Sequence, residues 1–137
     1  MVQEIARAGG RIEAVLCCPH LADAGCDCRK PAPGLLRRAH EEYGVDLKQA
    51  ILVGDSAKDV QAAAAVEMPA IMVLSGLGRI ADLESTSLPC RLALDLGHSA
   101  QLILNGEVLP PDEPPGLQSA LRRQEFDHLA IIRKRCL

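Results

Sequence analysis

The sequence is poor in aromatic residues and has no strong excess of either charge. Its 137 residues include one Tyr, one Phe and no Trp, and 15 Lys and Arg stand against 18 Asp and Glu, for a net charge of −3. With 48% hydrophobic residues, this composition excludes a disordered chain, a collagen-like chain and a basic nucleic-acid-binding domain. A chain of roughly 150 residues buries about two-thirds of its unfolded surface, so one domain with a core is feasible.

Long hydrophobic runs are also missing. No run approaches the ~18 residues that a membrane-spanning helix needs. Met1 is followed by Gln3, Glu4 and Arg7 rather than by the apolar stretch of a signal peptide. We therefore expect a cytoplasmic protein that contacts neither membrane nor nucleic acid.

The cysteines are not spaced like those of a small secreted disulfide protein. Four of the six lie between Cys17 and Cys28, whereas Cys90 and Cys136 are distant. Clustering of this kind favours a metal site over a disulfide framework.

The cluster has the ligand types of a closed zinc site. Cys18, His20, Cys26 and Cys28 offer three thiolates and one imidazole, a tetrahedral set that leaves no position for water. A structural zinc ion there would supply folding energy to a loop too polar to fold by itself. The alternative is a coincidental cysteine cluster with an exposed histidine. Cys17 belongs to the preceding predicted strand and is expected to stay outside the set.

Strand and helix patterns alternate along the chain. Continuous apolar runs at 50–54 and 70–74 are typical of parallel strands that are covered on both faces. Further strands are predicted at 12–17 and 92–96, and helices at 2–8, 34–43, 57–66 and 98–104. The alternation predicts an α/β fold with a mainly parallel sheet.

A proline-rich stretch at 109–116 divides the chain. Residues 1–116 carry 10 basic and 16 acidic side chains, net −6, whereas 117–137 carry 5 and 2, net +3. We predict a domain at 1–108, a linker at 109–116 and a basic helical or disordered tail at 117–137. Five cations without interleaved aromatics are more typical of a solvated helix face than of a nucleic-acid or membrane contact.

Arg29 and Lys30 directly follow the last cysteine of the cluster and precede the helix predicted to begin at Gly34. Beside a helix N-terminus, the point charge of Lys30 and the forked donors of Arg29 are suited to hold a phosphate. They are equally suited to offset the negative thiolates as surface cations.

Asp55 follows the strand predicted at 50–54, and Asp59 lies four residues further on. Ligands of parallel sheets bind outside the carboxyl ends of the strands, where two carboxylates can hold Mg²⁺ directly or through water. A helix cap is the equal alternative, in which Asp55 or Ser56 accepts from the first-turn amides and the helix dipole favours Asp59.

Together, the two clusters resemble the zinc-containing branch of the haloacid-dehalogenase-like (HAD) phosphatases. The motif Cys18-x-His20…Cys26-Asp27-Cys28-Arg29-Lys30-Pro31 is similar to the zinc loop and third motif of that branch, and Gly54-Asp55-x-x-x-Asp59 is similar to the fourth motif. The branch acts on heptose bisphosphates or on histidinol phosphate, and Pro33-Gly34-Leu35-Leu36 is more similar to the heptose enzymes. The resemblance spans about residues 9–104.

The resemblance implies a partial Rossmann-like, three-layer fold and a role for each site residue. Lys30 would steady the phosphoryl group and the nucleophile, and Arg29 would contact the phosphate or sugar of the substrate. Asp55 would ligate Mg²⁺, and Asp59 would support the metal shell by hydrogen bonding. In the heptose enzymes a Lys typically follows the metal-binding Asp, whereas Ser56 follows it here.

The Asp-x-Asp motif of the family is missing from these 137 residues, because none of the nine aspartates is followed two residues later by another. In the family, the first aspartate of that motif attacks phosphorus and the second acts as acid and base. Its strand would lie beside the strand that ends at Asp55. We therefore expect an exposed edge on strand 50–54, and with it poor solubility, an oligomer or a complementing N-terminal segment.

These observations predict a chain that binds zinc but does not hydrolyse heptose bisphosphate by itself. It is then either part of a phosphatase, or a zinc-folded remnant that binds a phosphorylated ligand or another subunit. A zinc-folded interaction module that uses its basic tail is the third possibility.

Overall fold

The computed structural model describes residues 2–21, 23–76, 78–84, 86–108 and 129–131. Its elements, in chain order, are α1 (Val2–Arg7), α2 (Gly34–Tyr43), β1 (Ile51–Gly54), α3 (Ala57–Ala64), β2 (Ala70–Val73), α4 (Ile80–Glu84), β3 (Arg91–Ala93), α5 (Leu96–Leu104) and β4 (Leu129–Ile131). Within these ranges, every helix is too short or too polar to cross a membrane.

The four strands form one open, parallel sheet in the order β3-β2-β1-β4. Leu52 of β1 is in register with Ala70 of β2 on one side and with Ala130 of β4 on the other. The predicted α/β fold with a parallel sheet is thus confirmed.

The core lies on both faces of β1 and β2. Ile51 and Leu52 are each 1% exposed, and their side chains leave opposite faces of the sheet because successive residues of a strand alternate. The Leu52 face packs against residues of α2 and α3, namely Leu36, Ala62 and Ala63. The Ile51 face packs against Leu102 of α5 and against Val108. The sheet therefore has a helical layer on each face.

The helix ends follow from local sequence. The helix α2 stops at Gly44, which has a φ of 68° and donates its N–H to the carbonyl of His40 at 2.9 Å. Glycine is favoured at this position because the backbone is in the left-handed region, which other residues rarely adopt. The helix α3 begins after Ser56, one of the two cap residues predicted for it.

The strand predicted at 12–17 is wrong. Ile12, Ala14 and Leu16 are half-buried and the residues between them are exposed, so the alternating burial of a strand is present. However, residues 11–17 carry no strand, and the ladders of the described sheet join only β1, β2, β3 and β4. Alternating burial needs only a surface to pack on, whereas a strand also needs a hydrogen-bonded neighbour.

The open edge expected for strand 50–54 is not found. Strand β4 pairs with β1 on the side opposite β2, the side that the resemblance gives to the strand of the nucleophile. Because β4 comes from the predicted tail at 117–137, a segment of the chain itself closes this edge. The linker predicted at 109–116 and the rest of the tail lie outside the described residues.

Candidate metal and phosphate site

The loop between α1 and α2 brings together the four predicted zinc ligands. One ligand atom from each of Cys18, His20, Cys26 and Cys28 lies within 4.8 Å of the others. The Sγ atom of Cys18 is 3.5 Å from that of Cys26 and 3.2 Å from that of Cys28. The Nδ1 atom of His20 is 3.1 Å from the Sγ atom of Cys28. Three soft sulfurs and an imidazole at this spacing fit a tetrahedral zinc ion.

A shared proton polarises two of these thiols. Cys28 donates its S–H to the sulfur of Cys18, and this hydrogen bond lowers the pKa of Cys18. The same bond favours the protonated form of Cys28 and raises its pKa to about 12. Without metal, a proton therefore occupies the space between two ligands that a zinc ion would bind as thiolates.

Cys17 lies next to the cluster in sequence but is not part of it, as predicted. It is disulfide-bonded. The clustering of the cysteines favours a metal site over disulfides and so does not indicate this bond. Cys18, Cys26, Cys28 and Cys90 are free thiols.

Backbone and side-chain bonds fold the loop back onto the start of α2. The N–H of Gly34 donates to the carbonyl of Asp27 at 2.9 Å. A Cβ on Gly34 would fall 2.8 Å from the carbonyl carbon of Asp27, so this close return requires glycine. Arg29 donates from Nη2 to the carbonyl of His20, so the segment after the cluster is tied back to one of the cluster residues.

The segment after the cluster delivers Lys30 to the carboxyl end of β1. Its ammonium forms an ion pair with Asp59 Oδ1, and the two side chains are 12% and 1% exposed. The other carboxylate oxygen of Asp59 accepts from the N–H of Ser56 at 3.0 Å and from its hydroxyl at 2.6 Å. A cation, a hydroxyl and a backbone amide thus hold one buried carboxylate.

Of the two roles weighed for Asp59, helix cap and metal ligand, its contacts in the structure are those of the helix cap. With both oxygens engaged and 1% of its surface exposed, Asp59 could turn to an ion in solution only by giving up its contacts with Lys30 and Ser56. Its contacts are those of a positioning residue, which holds Lys30 and the first turn of α3 in place.

Asp55, at the end of β1, is enclosed by two glycines that the sequence reasoning missed. A Cβ on Gly76 would fall 2.6 Å from Asp55 Oδ2, and one on Gly78 would fall 2.9 Å from the carbonyl carbon of Asp55. Gly76 follows the end of β2, the strand beside β1, so its place in sequence was a usable signal. Asp55 therefore leaves no room for a side chain at Gly76 or at Gly78.

The chain matches a family model described as HAD-hydrolase-like over residues 27–106, which is more than half of its length. It is 49% identical over 74 residues to the D-glycero-beta-D-manno-heptose-1,7-bisphosphate 7-phosphatase of Pseudomonas aeruginosa, covering 54% of this chain and 42% of the relative. It is 41% identical over 106 residues to the enzyme of the same name from Bordetella bronchiseptica, covering 76% of this chain and 59% of the relative.

A solved structure is similar in fold as well as in sequence. It is the D,D-heptose 1,7-bisphosphate phosphatase of B. bronchiseptica in complex with magnesium and phosphate, with a TM-score of 0.67 and 39% identity. The match covers 76% of this chain and 59% of the B. bronchiseptica chain. The chain thus spans about two-fifths to three-fifths of the length of these relatives. It belongs to the HAD-hydrolase-like family.

Proposed function

We propose that this chain carries the metal- and phosphate-binding part of a phosphatase site for D-glycero-D-manno-heptose 1,7-bisphosphate. The observation that carries the proposal is the position of Lys30. Its ammonium pairs with the buried carboxylate of Asp59, in the first turn of the helix that follows β1, and Lys30 follows the last residue of the Cys and His cluster by two positions in sequence. A fixed cation beyond the carboxyl end of a parallel strand is suited to a phosphate group.

Cys18, His20, Cys26 and Cys28 would hold a structural zinc ion. The zinc would supply folding energy to the loop, because the ligands come together only in the folded chain. Lys30 follows the last ligand by two residues. The loop is also tied to α2 through Gly34 and Asp27, so the metal cluster restricts where Lys30 can lie.

Asp55 would be the protein ligand of a magnesium ion, which would neutralise charge on the phosphate when bound. Carboxylate is a preferred magnesium ligand, and Asp55 stands at the carboxyl end of the central strand β1. Asp59 holds Lys30 rather than the metal. Arg29 is the proposed contact for the outer phosphate or sugar, and it would exchange its bond with the carbonyl of His20 for the substrate.

The proposed substrate follows from the named relatives. The Pseudomonas and Bordetella proteins carry heptose bisphosphate in their names, and the solved Bordetella structure holds magnesium and phosphate. Histidinol phosphate is the competing ligand, because the related branch that acts on it shares the zinc loop.

These 137 residues by themselves are proposed to bind the substrate without hydrolysing it. They contain no Asp-x-Asp, so they offer no aspartate in the motif that attacks phosphorus. Lys30 would bind the phosphate and Asp55 would hold the magnesium ion that neutralises its charge, while the bond between phosphorus and the leaving oxygen stays intact.

Calorimetric titration of the zinc-loaded chain with heptose bisphosphate tests the proposal. We expect saturable binding that tightens at least about tenfold with magnesium and is weaker for histidinol phosphate. Asp55→Asn should abolish the magnesium effect. Glu41→Gln, which makes the same charge change on the exposed side of α2, should leave that effect intact.

Two results would contradict the proposal. The first is the absence of binding with magnesium present, which would remove the phosphate-binding role. The second is magnesium-dependent release of phosphate by the chain, lost in Asp55→Asn, which would show that turnover does not need the missing motif.

A further inference from the structure

The carboxylate of Asp59 is enclosed by the two residues that flank Asp55. Ser56, which is 8% exposed, donates both its N–H and its hydroxyl to Oδ2 of Asp59, at 3.0 and 2.6 Å. On the other flank, a Cβ on Gly54 would fall 2.9 Å from Oδ2 and closer still to the Cβ and Cγ atoms of Asp59. Gly54 is the last residue of β1, so the carboxylate packs directly against the backbone at the end of the strand.

These contacts fix the rotation of the carboxylate about its last single bond. That torsion is soft in aspartate, so rotamer preference alone does not decide where the two oxygens point. The two donors on Oδ2 and the close approach of Gly54 decide it here, and they thereby decide where Oδ1 points. Oδ1 is the oxygen that pairs with the ammonium of Lys30. The orientation of Asp59 toward Lys30 thus depends on Ser56.

The two donors of Ser56 can be separated from each other by substitution. An alanine at this position keeps the N–H donor to Oδ2 and lacks the hydroxyl donor. With one donor left, the carboxylate can swing about the remaining hydrogen bond, and the direction of Oδ1 is no longer fixed. The hydroxyl is therefore the part of Ser56 that holds the carboxylate in one orientation.

The ammonium of Lys30 stands at the end of a long side chain with many rotamers, and ordering such a side chain costs conformational entropy. Here the side chains of Lys30 and Asp59 are 12% and 1% exposed, so the ion pair orders the lysine before any ligand binds. An ammonium has three N–H donors, so its pair with Asp59 does not use up its capacity to bind a phosphate. A ligand that meets an ordered cation binds more tightly than one that has to order it.

We propose that Ser56 is a positioning residue for the phosphate: its hydroxyl holds the carboxylate of Asp59, which in turn holds the ammonium of Lys30 ready for the phosphate group. The role of Ser56 rests on the proposed function, in which Lys30 binds the phosphate. Loss of the hydroxyl leaves the cation in the protein and removes its fixed position. The ligand then has to order the lysine itself, which weakens binding about three- to tenfold.

Calorimetric titration of the zinc- and magnesium-loaded chain with inorganic phosphate tests this dependence. Ser56→Ala should weaken phosphate binding about three- to tenfold, and Ser56→Thr, which keeps a hydroxyl on Cβ, should bind within about twofold of the wild type. Ser99→Ala is the matched control, because Ser99 is 0% exposed, lies near the start of α5 and donates its hydroxyl to the carbonyl of Leu96 at 2.7 Å. This variant loses a buried hydrogen bond far from Lys30 in sequence and should bind phosphate like the wild type.

A second measurement observes Lys30 without any phosphate. The ammonium group of an ordered, ion-paired lysine gives a nitrogen-15 NMR signal, which is assigned through the carbons of its side chain. In Ser56→Ala the signal of Lys30 should shift and its protons should exchange faster with water, because the pair with Asp59 is looser. In Ser56→Thr and in Ser99→Ala the signal should match that of the wild type.

Phosphate affinity in Ser56→Ala within about twofold of the wild type would overturn the role of Ser56. Equal weakening in Ser56→Ala and Ser99→Ala would overturn it as well, since the effect would then be a general loss of stability. So would an unchanged Lys30 signal in Ser56→Ala. Failure of the proposed function gives a different result, in which the wild-type chain does not bind phosphate although the Lys30 signal still responds to Ser56→Ala.

Discussion

Lys30 and Asp59 are 29 residues apart in sequence and form a buried ion pair at the carboxyl end of β1. Lys30 belongs to the segment that leaves the metal-ligand loop, and Asp59 belongs to the first turn of α3. Ser56 binds the other oxygen of the same carboxylate. The position of the cation is therefore fixed from two separate parts of the fold.

Loss of the cation should destabilise the fold strongly. Lys30→Met leaves the carboxylate of Asp59 buried and without its cation, which costs about 3–5 kcal/mol of unfolding free energy. Urea unfolding of the zinc-loaded protein measures this loss of unfolding free energy. The double variant, Lys30→Met with Asp59→Asn, should recover part of the loss. Lys48→Met breaks an ion pair with Glu67 that is 74% and 77% exposed, so it should have no measurable effect. Equal effects of the two lysine variants would contradict the buried pair.

Removal of one cluster cysteine should remove the metal. We expect about one zinc ion per wild-type chain and far less in Cys26→Ser, because a three-ligand site is open to water and binds zinc more weakly. Cys90→Ser removes a half-buried thiol outside the cluster and should keep the metal. Metal analysis by mass spectrometry after gel filtration measures the zinc content of the two variants and of the wild type. A wild-type chain without zinc would count against the cluster as a metal site.

Zinc binding should release protons and tighten as pH rises. The pKa of Cys28 in the metal-free site is raised to about 12, so this thiol is protonated at neutral pH and must lose its proton to bind zinc. The logarithm of zinc affinity should therefore rise by at least about one unit per pH unit between pH 6.5 and 8. Competition titrations with a chelator of known affinity measure this slope. A pH-independent affinity would rule out proton displacement.

A methyl group at Gly76 should disturb the proposed magnesium ligand alone. Its Cβ would fall 2.6 Å from Asp55 Oδ2, so the carboxylate must move. We expect Gly76→Ala to weaken magnesium-dependent phosphate binding about tenfold and to leave zinc content unchanged. Gly97→Ala, where the nearest atom is the Asp95 carboxylate at 3.3 Å, is the matched control. An unaltered magnesium dependence in Gly76→Ala would show that Asp55 is not the ligand.

The sequence predicted the parts of the fold that depend on local signals. Each of these signals lies within a few residues of sequence: the apolar runs of β1 and β2, the glycine after α2, and the cap at Ser56. The four ligands of the cluster are likewise close in sequence, so their spacing alone indicated a common site. For the same reason, the sequence alone indicates Lys30 and its neighbours as candidate site residues.

The sequence reasoning missed the features that depend on distant contacts. Strand β4 has no apolar signal stronger than that of the basic tail around it, and it becomes a strand because the edge of β1 accepts it. The segment 12–17 has strand-like burial but lacks such an edge. The enclosure of Asp55 by Gly76 also joins residues that no local pattern connects.

A crystal structure of the chain with zinc, magnesium and inorganic phosphate is the most direct test of the proposed site. We expect a phosphate oxygen within hydrogen-bond distance of Lys30 Nζ and a magnesium ion on the carboxylate of Asp55. We also expect zinc on Cys18, His20, Cys26 and Cys28. A phosphate bound away from Lys30, or a magnesium ion without Asp55 among its ligands, would contradict the proposed function.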